Sequence, residues 1–225
     1  MVGIDVDGAI AEQEWIDRAA DPIQRTLTPL LRSAPRVAAA LHGEWLGHPL
    51  HAALTDVPVG AWVAGFVMDM AEVLGGTRKL RRGADAAHAI GLAGAMGAAV
   101  AGIADWSETR EEAKRIGFVH GATNVVIAGL YGASLYARRR RRRGLGIALS
   151  SAGYGLLLFS SWLGGELSYR LGVGVRDEAF ERKELERGRG VRQEEPEVEP
   201  LEQAGVAPVQ AGPDAGLRVS ADPRR

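Results

Sequence analysis

The stretch IGFVHGATNVVIAGLYGASLYA, residues 116–137, runs for 22 positions without an Asp, Glu, Lys or Arg. Six consecutive arginines follow at 138–143, and then GLGIALSSAGYGLLLFSSWLGG, residues 144–165, is again free of charge. Two more such runs lie upstream. Residues 86–104 carry no charged side chain, and residues 45–68 are interrupted only by Asp56. Roughly 20 predominantly apolar residues cross the hydrocarbon core as a helix. Soluble amphipathic helices would instead show a polar stripe with a 3.6-residue period. The pattern predicts an all-α integral membrane protein, an up-down bundle of four spans near 50–74, 86–106, 116–137 and 144–166.

The average composition conceals this. Over 225 residues, 27 Lys and Arg nearly balance 28 Asp and Glu, and the mean hydropathy is -0.06. Apolar and charged residues are segregated along the chain rather than mixed. A net charge of -1 gives no general attraction to nucleic acid. With no Cys there is no disulfide framework, no thiolate zinc site and no Cys-ligated iron–sulfur cluster.

Charges beside the spans set the expected orientation. The first connection carries Arg78, Lys79, Arg81 and Arg82, and the third carries the six arginines. In the middle connection, Arg110, Lys114 and Arg115 are offset by Glu108, Glu111 and Glu112. Short loops rich in Lys and Arg stay in the cytoplasm. The expectation is a multi-pass membrane protein with the middle connection and both termini outside. The acidic first 17 residues, with Asp5, Asp7, Glu12, Glu14 and Asp17, are the reverse of a signal peptide's basic start.

Three domains of organisation follow: an N-terminal segment, 1–47; the four-span membrane domain, 48–170; and a charged tail, 171–225. Within the first, residues 21–34 read as a short amphipathic helix, with Asp21 as cap and Pro22 in the first turn. Ile23, Leu27, Leu30 and Leu31 would share its apolar face, which suits either the membrane interface or the end of the bundle. The tail lacks periodicity and apolar content and is expected to be largely disordered after a short helix.

Polar residues within and beside the spans are the functional signal, because ionisable groups there cost free energy and usually mark a site. His48, His51, Asp56, Asp69, Glu72, His88, Asp105, His120 and Asn124 are the set. Spans one and three both start at the outer surface, so His51 and His120 lie at one depth, with Asp56 and Asn124 about a turn further in. Asp105 and Trp106 end span two at the same face, as Gly164, Gly165, Glu166 and Tyr169 end span four.

Two chemistries suit this constellation. In an up-down bundle spans one and three are diagonal, and His51 and His120 can offer opposed axial nitrogens to a b-type haem. Gly91, Gly94 and Gly97 would then admit a flat macrocycle, although small-residue helix packing explains them better. Alternatively His48, His51, Asp56 and His120 ligate one metal ion, zinc, iron or copper, with Asn124 or Asp105 supporting a histidine N–H. Pro58 would free the carbonyl of Leu54 and open span one beside Asp56. His88 reads as a lone interfacial histidine, and Asp69 and Glu72 as partners for 78–82. Trp45 and Trp106 suit the outer aromatic belt. No P-loop, Rossmann glycine pattern, G-x-S-x-G elbow or H-E-x-x-H is present.

Three stretches carry a family resemblance: LHGEWLGHPLH (41–51) with LTDVPVG (54–60), GIADW (102–106), and Gly164-Gly165 with Tyr169 and GVG (172–174). Together they resemble an uncharacterised bacterial four-helix membrane domain often fused to, or encoded beside, Rieske [2Fe–2S] proteins. The resemblance spans roughly residues 20–175 and departs at Ala52, where Pro is the expected residue. It implies a membrane anchor or redox subunit. A Rieske partner would be a separate chain, because its ligands include Cys. The expected function is a non-enzymatic haem- or metal-binding electron-transfer subunit. The alternatives are a cofactor-free anchor or assembly subunit and a small proton or metal-ion transporter. Four spans are few for a self-contained redox machine, which points to a homodimer or a larger complex.

Overall fold

The computed structural model describes residues 6–174, and the tail from 175 onward lies outside the described residues. Seven α-helices follow in order: α1 (Val6–Ala11), α2 (Trp15–Ser33), α3 (Pro35–His42), α4 (Leu50–Gly75), α5 (Arg81–Ser107), α6 (Glu111–Arg139) and α7 (Arg143–Gly165). A 3-10 turn precedes α5 and a π-helical turn, Glu166–Arg170, ends α7. The last four helices are long and apolar enough to cross a membrane. Each overruns its charge-free run because the helix continues into the polar flanks.

Lipid explains the distribution of apolar side chains. Val67, Ile90, Met96, Val100, Val125 and Leu158 are each more than half exposed, in a band that water would penalise. Neighbouring helices pack in the cycle α4–α5–α6–α7, so α4 and α6 are diagonal. The bundle has a basic end, formed by 78–82 and 138–143, and a histidine end, covered by α1 to α3.

The α4/α5 and α6/α7 hairpins repeat one another. Along α4, His51, Ala53, Val57, Gly60, Trp62 and Ala64 match His120, Ala122, Val126, Gly129, Tyr131 and Ala133 on α6. On α5, Gly91 and Gly102 match Gly153 and Gly164 on α7. The contacts repeat with the residues. Trp62 packs where a Cβ on Gly91 would stand, and Tyr131 does the same over Gly153. Trp62 and Tyr131 then stack at 4.1 Å, within 2° of parallel, in the core with Ile127 and Leu157. These are parallel repeats related by a pseudo-two-fold along the bundle axis.

The N-terminal helices depart from expectation. α2 begins at Trp15, so Asp21 and Pro22 lie inside it rather than capping it. Its buried face is Ile16 and Ala20, while Ile23 and Leu30 are 44% and 63% exposed. Tertiary hydrogen bonds set this rotation. Gln24 donates to the carbonyls of Trp106 (2.9 Å) and Thr109 (3.1 Å), and Thr28 donates to Ser107 (3.0 Å). The Trp106 and Ser107 carbonyls lie at the C-terminus of α5, where the helix runs out of its own donors. Pro58 does not break α4, which runs unbroken through it with the ring buried beside Gly94.

Candidate functional site

At the histidine end the two hairpins present a matched pair of imidazoles. His51 donates from Nδ1 to the carbonyl of Ala98 on α5 at 2.8 Å. His120 donates from Nδ1 to the carbonyl of Ser160 on α7 at 3.0 Å. Ala98 and Ser160 each lie four residues before the glycine that seats the ring. A Cβ on Gly102 would come within 2.7 Å of His51, and one on Gly164 within 3.2 Å of His120. The ring centres stand 6.4 Å apart and the planes are nearly perpendicular, at 88°. Fixing Nδ1–H on a carbonyl selects the tautomer whose Nε2 lone pair is available for ligation.

Symmetry ends at Nε2. His51 Nε2 has no protein partner among the described residues, whereas His120 Nε2 accepts from the Asn124 amide at 3.0 Å. Asn124 Oδ1 in turn accepts from the Ser160 hydroxyl at 2.9 Å. Asn124 therefore supports the site through the imidazole acceptor, not by taking a histidine N–H.

The other expected ligands are elsewhere. His48 and Asp56 are exposed, Asp56 on the outer side of an unbroken α4. Among the described residues no group of three or more His, Asp or Glu side chains is placed to hold a metal ion, so the four-ligand set is not assembled. Asp105 pairs with His42 Nδ1 at 2.9 Å rather than supporting His51. Trp106 donates its indole N–H to Lys114 at 2.9 Å and lies over Gly117. Gly91 and Gly94 receive Trp62, Val57 and Pro58 from α4, so helix packing rather than a macrocycle occupies them. His42 precedes the first span, and its one signal in the sequence is its place in the 41–51 stretch.

A second polar cluster fills the basic end, and it corrects the reading of His88. That histidine is wholly buried, and its Nε2–H donates to Asp69 at 2.9 Å. Asp69 is also wholly buried and is held by both terminal nitrogens of Arg138. Ser150 donates to the same carboxylate at 3.3 Å, and Arg143 Nη2 lies 3.3 Å from it. Glu72 pairs with Arg81, as expected, and with Arg143. Asp69 and Arg138 occupy equivalent positions of the two repeats, eighteen residues after His51 and His120. His88 and Ser150 are equivalent as well. His88 Nδ1 and the Tyr131 hydroxyl are buried without a hydrogen-bond partner among the described residues.

Ion pairs fasten the N-terminal cover at the histidine end. Lys114 reaches Asp17 (2.9 Å) and Asp21 (2.7 Å), and Arg115 reaches Asp17 (2.7 Å). The Arg115 guanidinium, with Lys114, holds the Asp17 carboxyl down at about 2, and Lys114 lowers Asp21.

A family model described as "Predicted membrane protein (DUF2231)" matches residues 47–177. No curated protein and no solved structure matches the chain.

Proposed function

Because the chain belongs to the DUF2231 family of predicted membrane proteins, we propose that it is a membrane subunit whose His51–His120 pair holds a redox group. The group is a b-type haem or a single metal ion, and it serves electron exchange with a partner protein. The supporting observation is the duplicated anchorage of the two rings: Nδ1–H on a carbonyl, ring on a glycine, on diagonal helices. Two imidazoles on one ion, with bonds of about 2.0–2.1 Å, would keep their ring centres up to roughly 6.5 Å apart. The observed 6.4 Å is near that limit.

Haem is favoured over a bare ion. A low-spin b-type haem would be held by two imidazoles, and two are what the site offers, whereas a closed structural ion would need about four ligands. The group would supply one-electron chemistry. The protein's own part is to fix both tautomers, orient both rings and release His120 Nε2 by turning Asn124 aside. The partner in this reading is a Rieske-type iron–sulfur protein on another chain, as the sequence resemblance implies, at the outer face of a bacterial cell membrane.

The anchor reading has its own support. Asn124 already satisfies His120 Nε2, and no third ligand is near among the described residues. A visible spectrum of detergent-purified protein, oxidised and dithionite-reduced, with elemental analysis of the same sample, separates the two. Sharp low-spin haem bands lost in His51→Ala and His120→Ala are the expected result. One zinc, iron or copper per chain without such bands moves the assignment to the ion. Neither haem nor stoichiometric metal leaves the anchor.

A further inference from the structure

We propose that the basic end of the bundle is a binding surface for the headgroups of anionic phospholipids. The argument starts from charge accounting at that end. Its carboxylates, Asp69, Glu72 and Asp85, are all engaged within the protein by His88, Arg81, Arg138 and Arg143. None is left over for the rest of the two loops. Arg78, Lys79 and Arg82 in one loop, and residues 139–142 in the other, are exposed. None of these seven has a carboxylate within ion-pair distance among the described residues. The two loops thus form a cationic rim around an internally neutralised core.

The rim's position selects the partner. These cations directly flank the ends of four membrane-crossing helices, at the height where headgroup phosphates lie. Apolar side chains stand among them: Leu74 is 85% exposed, Tyr136 60% and Leu145 49%. Arg140 lies over the Tyr136 ring at 5.2 Å and donates to its hydroxyl, presenting a cation beside an interfacial aromatic. A soluble anion would have no use for that apolar company. Arginine's planar fork suits phosphate oxygens, with the lysine as an added point charge.

The full chain, purified in a neutral detergent from membranes of mixed lipid, is assayed for retained phosphatidylglycerol against phosphatidylcholine by mass spectrometry. Expected is several-fold enrichment of phosphatidylglycerol, reduced at high salt. Enrichment should fall to the bulk ratio in R139Q/R140Q/R141Q/R142Q and in the separate variant R78Q/K79Q/R82Q. It should persist in R139K/R140K/R141K/R142K, which keeps the charge and guards against a folding artefact. Equal retention of the two lipids, or enrichment untouched in both Gln variants, overturns the proposal. So does displacement of the lipid by millimolar inorganic phosphate, which would mark a free-anion site. Tighter binding of duplex DNA than of phosphatidylglycerol vesicles would overturn it too.

Discussion

The two hairpins use one geometry with different side chains, and where they differ is informative. At the histidine end the repeats have kept the same residue, so α4 and α6 face each other with identical imidazoles. Midway they have kept an aromatic, Trp62 against Tyr131, in a parallel stack. At the basic end they have diverged into opposites, Asp69 against Arg138. Like charges at these equivalent positions would repel in a dry interior; opposite charges bind. Divergence at that layer is what lets two copies of one hairpin pair as a unit, while retention at the other layer preserves a matched pair of imidazoles.

The basic-end pair is where breaking the comparison has the largest effect. Asp69 and Arg138 side chains are 1% and 3% exposed. Removing one partner of a buried pair typically costs about 3–5 kcal/mol, because the other charge is stranded. Asp69→Ala, leaving Arg138 only the half-exposed Asp85 as a charge partner, should lower the melting temperature in detergent sharply, and Arg138→Met less so, because Asp69 keeps His88 and Arg143. The double change Asp69→Leu/Arg138→Met should recover at least half of the loss. Strict additivity of the two single changes would show that the layers do not meet across the axis.

Next come the glycine seats, where the hairpins differ in closeness. In α4/α5 an added Cβ meets Trp62 at 2.4 Å over Gly91 and His51 at 2.7 Å over Gly102. In α6/α7 the matching distances are 3.0 Å at Gly153 and 3.2 Å at Gly164. Overpacking costs about 1–3 kcal/mol, against a helix-propensity gain of about 1 kcal/mol for Gly to Ala. Gly91→Ala and Gly102→Ala should therefore destabilise by about 1–2 kcal/mol in net. Gly153→Ala and Gly164→Ala should stay near neutral. Thermal melts of the four variants rank the hairpins; equal losses would sink the claim that one is tighter.

The aromatic layer gives a smaller contrast. Trp62 donates its indole N–H to the His88 carbonyl at 3.3 Å, whereas the Tyr131 hydroxyl has no partner among the described residues. Trp62→Phe loses a hydrogen bond and volume, about 1–3 kcal/mol. Tyr131→Phe removes only an unsatisfied group and should lie within about 0.5 kcal/mol of the parent or above it. A larger loss on Tyr131→Phe would mean the hydroxyl is bonded in the membrane-embedded protein.

Hydropathy made the bundle legible because four charge-free runs admit few other structures. Common depth made His51 and His120 legible for the same reason: topology assigns height without needing contacts. What escaped was rotational. Whether Asp56 faces the core or lipid, and whether α2 turns Ile23 or Ala20 inward, depends on helix phase. Tertiary bonds such as Gln24 to Trp106 fix that phase. His88 escaped because its partner Asp69 belongs to another helix and its neighbour Arg138 was read as part of a topogenic run. The repeat itself was present in the sequence as His-x-Ala-x3-Val-x2-Gly-x-aromatic-x-Ala at 51–64 and 120–133. It is too sparse to stand out until the contacts supply the pairing.

The smallest effect concerns the cover, whose α2 carboxylates pair with the start of one repeat. Asp17 and Asp21 of α2 bind Lys114 and Arg115 near the start of α6, and among the described residues α4 has no equivalent pair. Both carboxyls are depressed when docked, Asp17 from 3.8 to about 2. A depressed carboxylate contributes stability that is fully present above its ordinary value and is lost as pH falls through the docked value. Docking of α2 should therefore weaken as pH drops from about 4 toward 2, while the spans hold. Amide exchange corrected for intrinsic rate reads this directly: α2 amides should lose protection across that window and those of α4 should not. Asp17→Asn should show the looser α2 already at neutral pH, with its pH dependence flattened. If α2 protection is level down to pH 2 in the parent, the apolar seat of Ile16 and Ala20, rather than the ion pairs, is what holds the cover on.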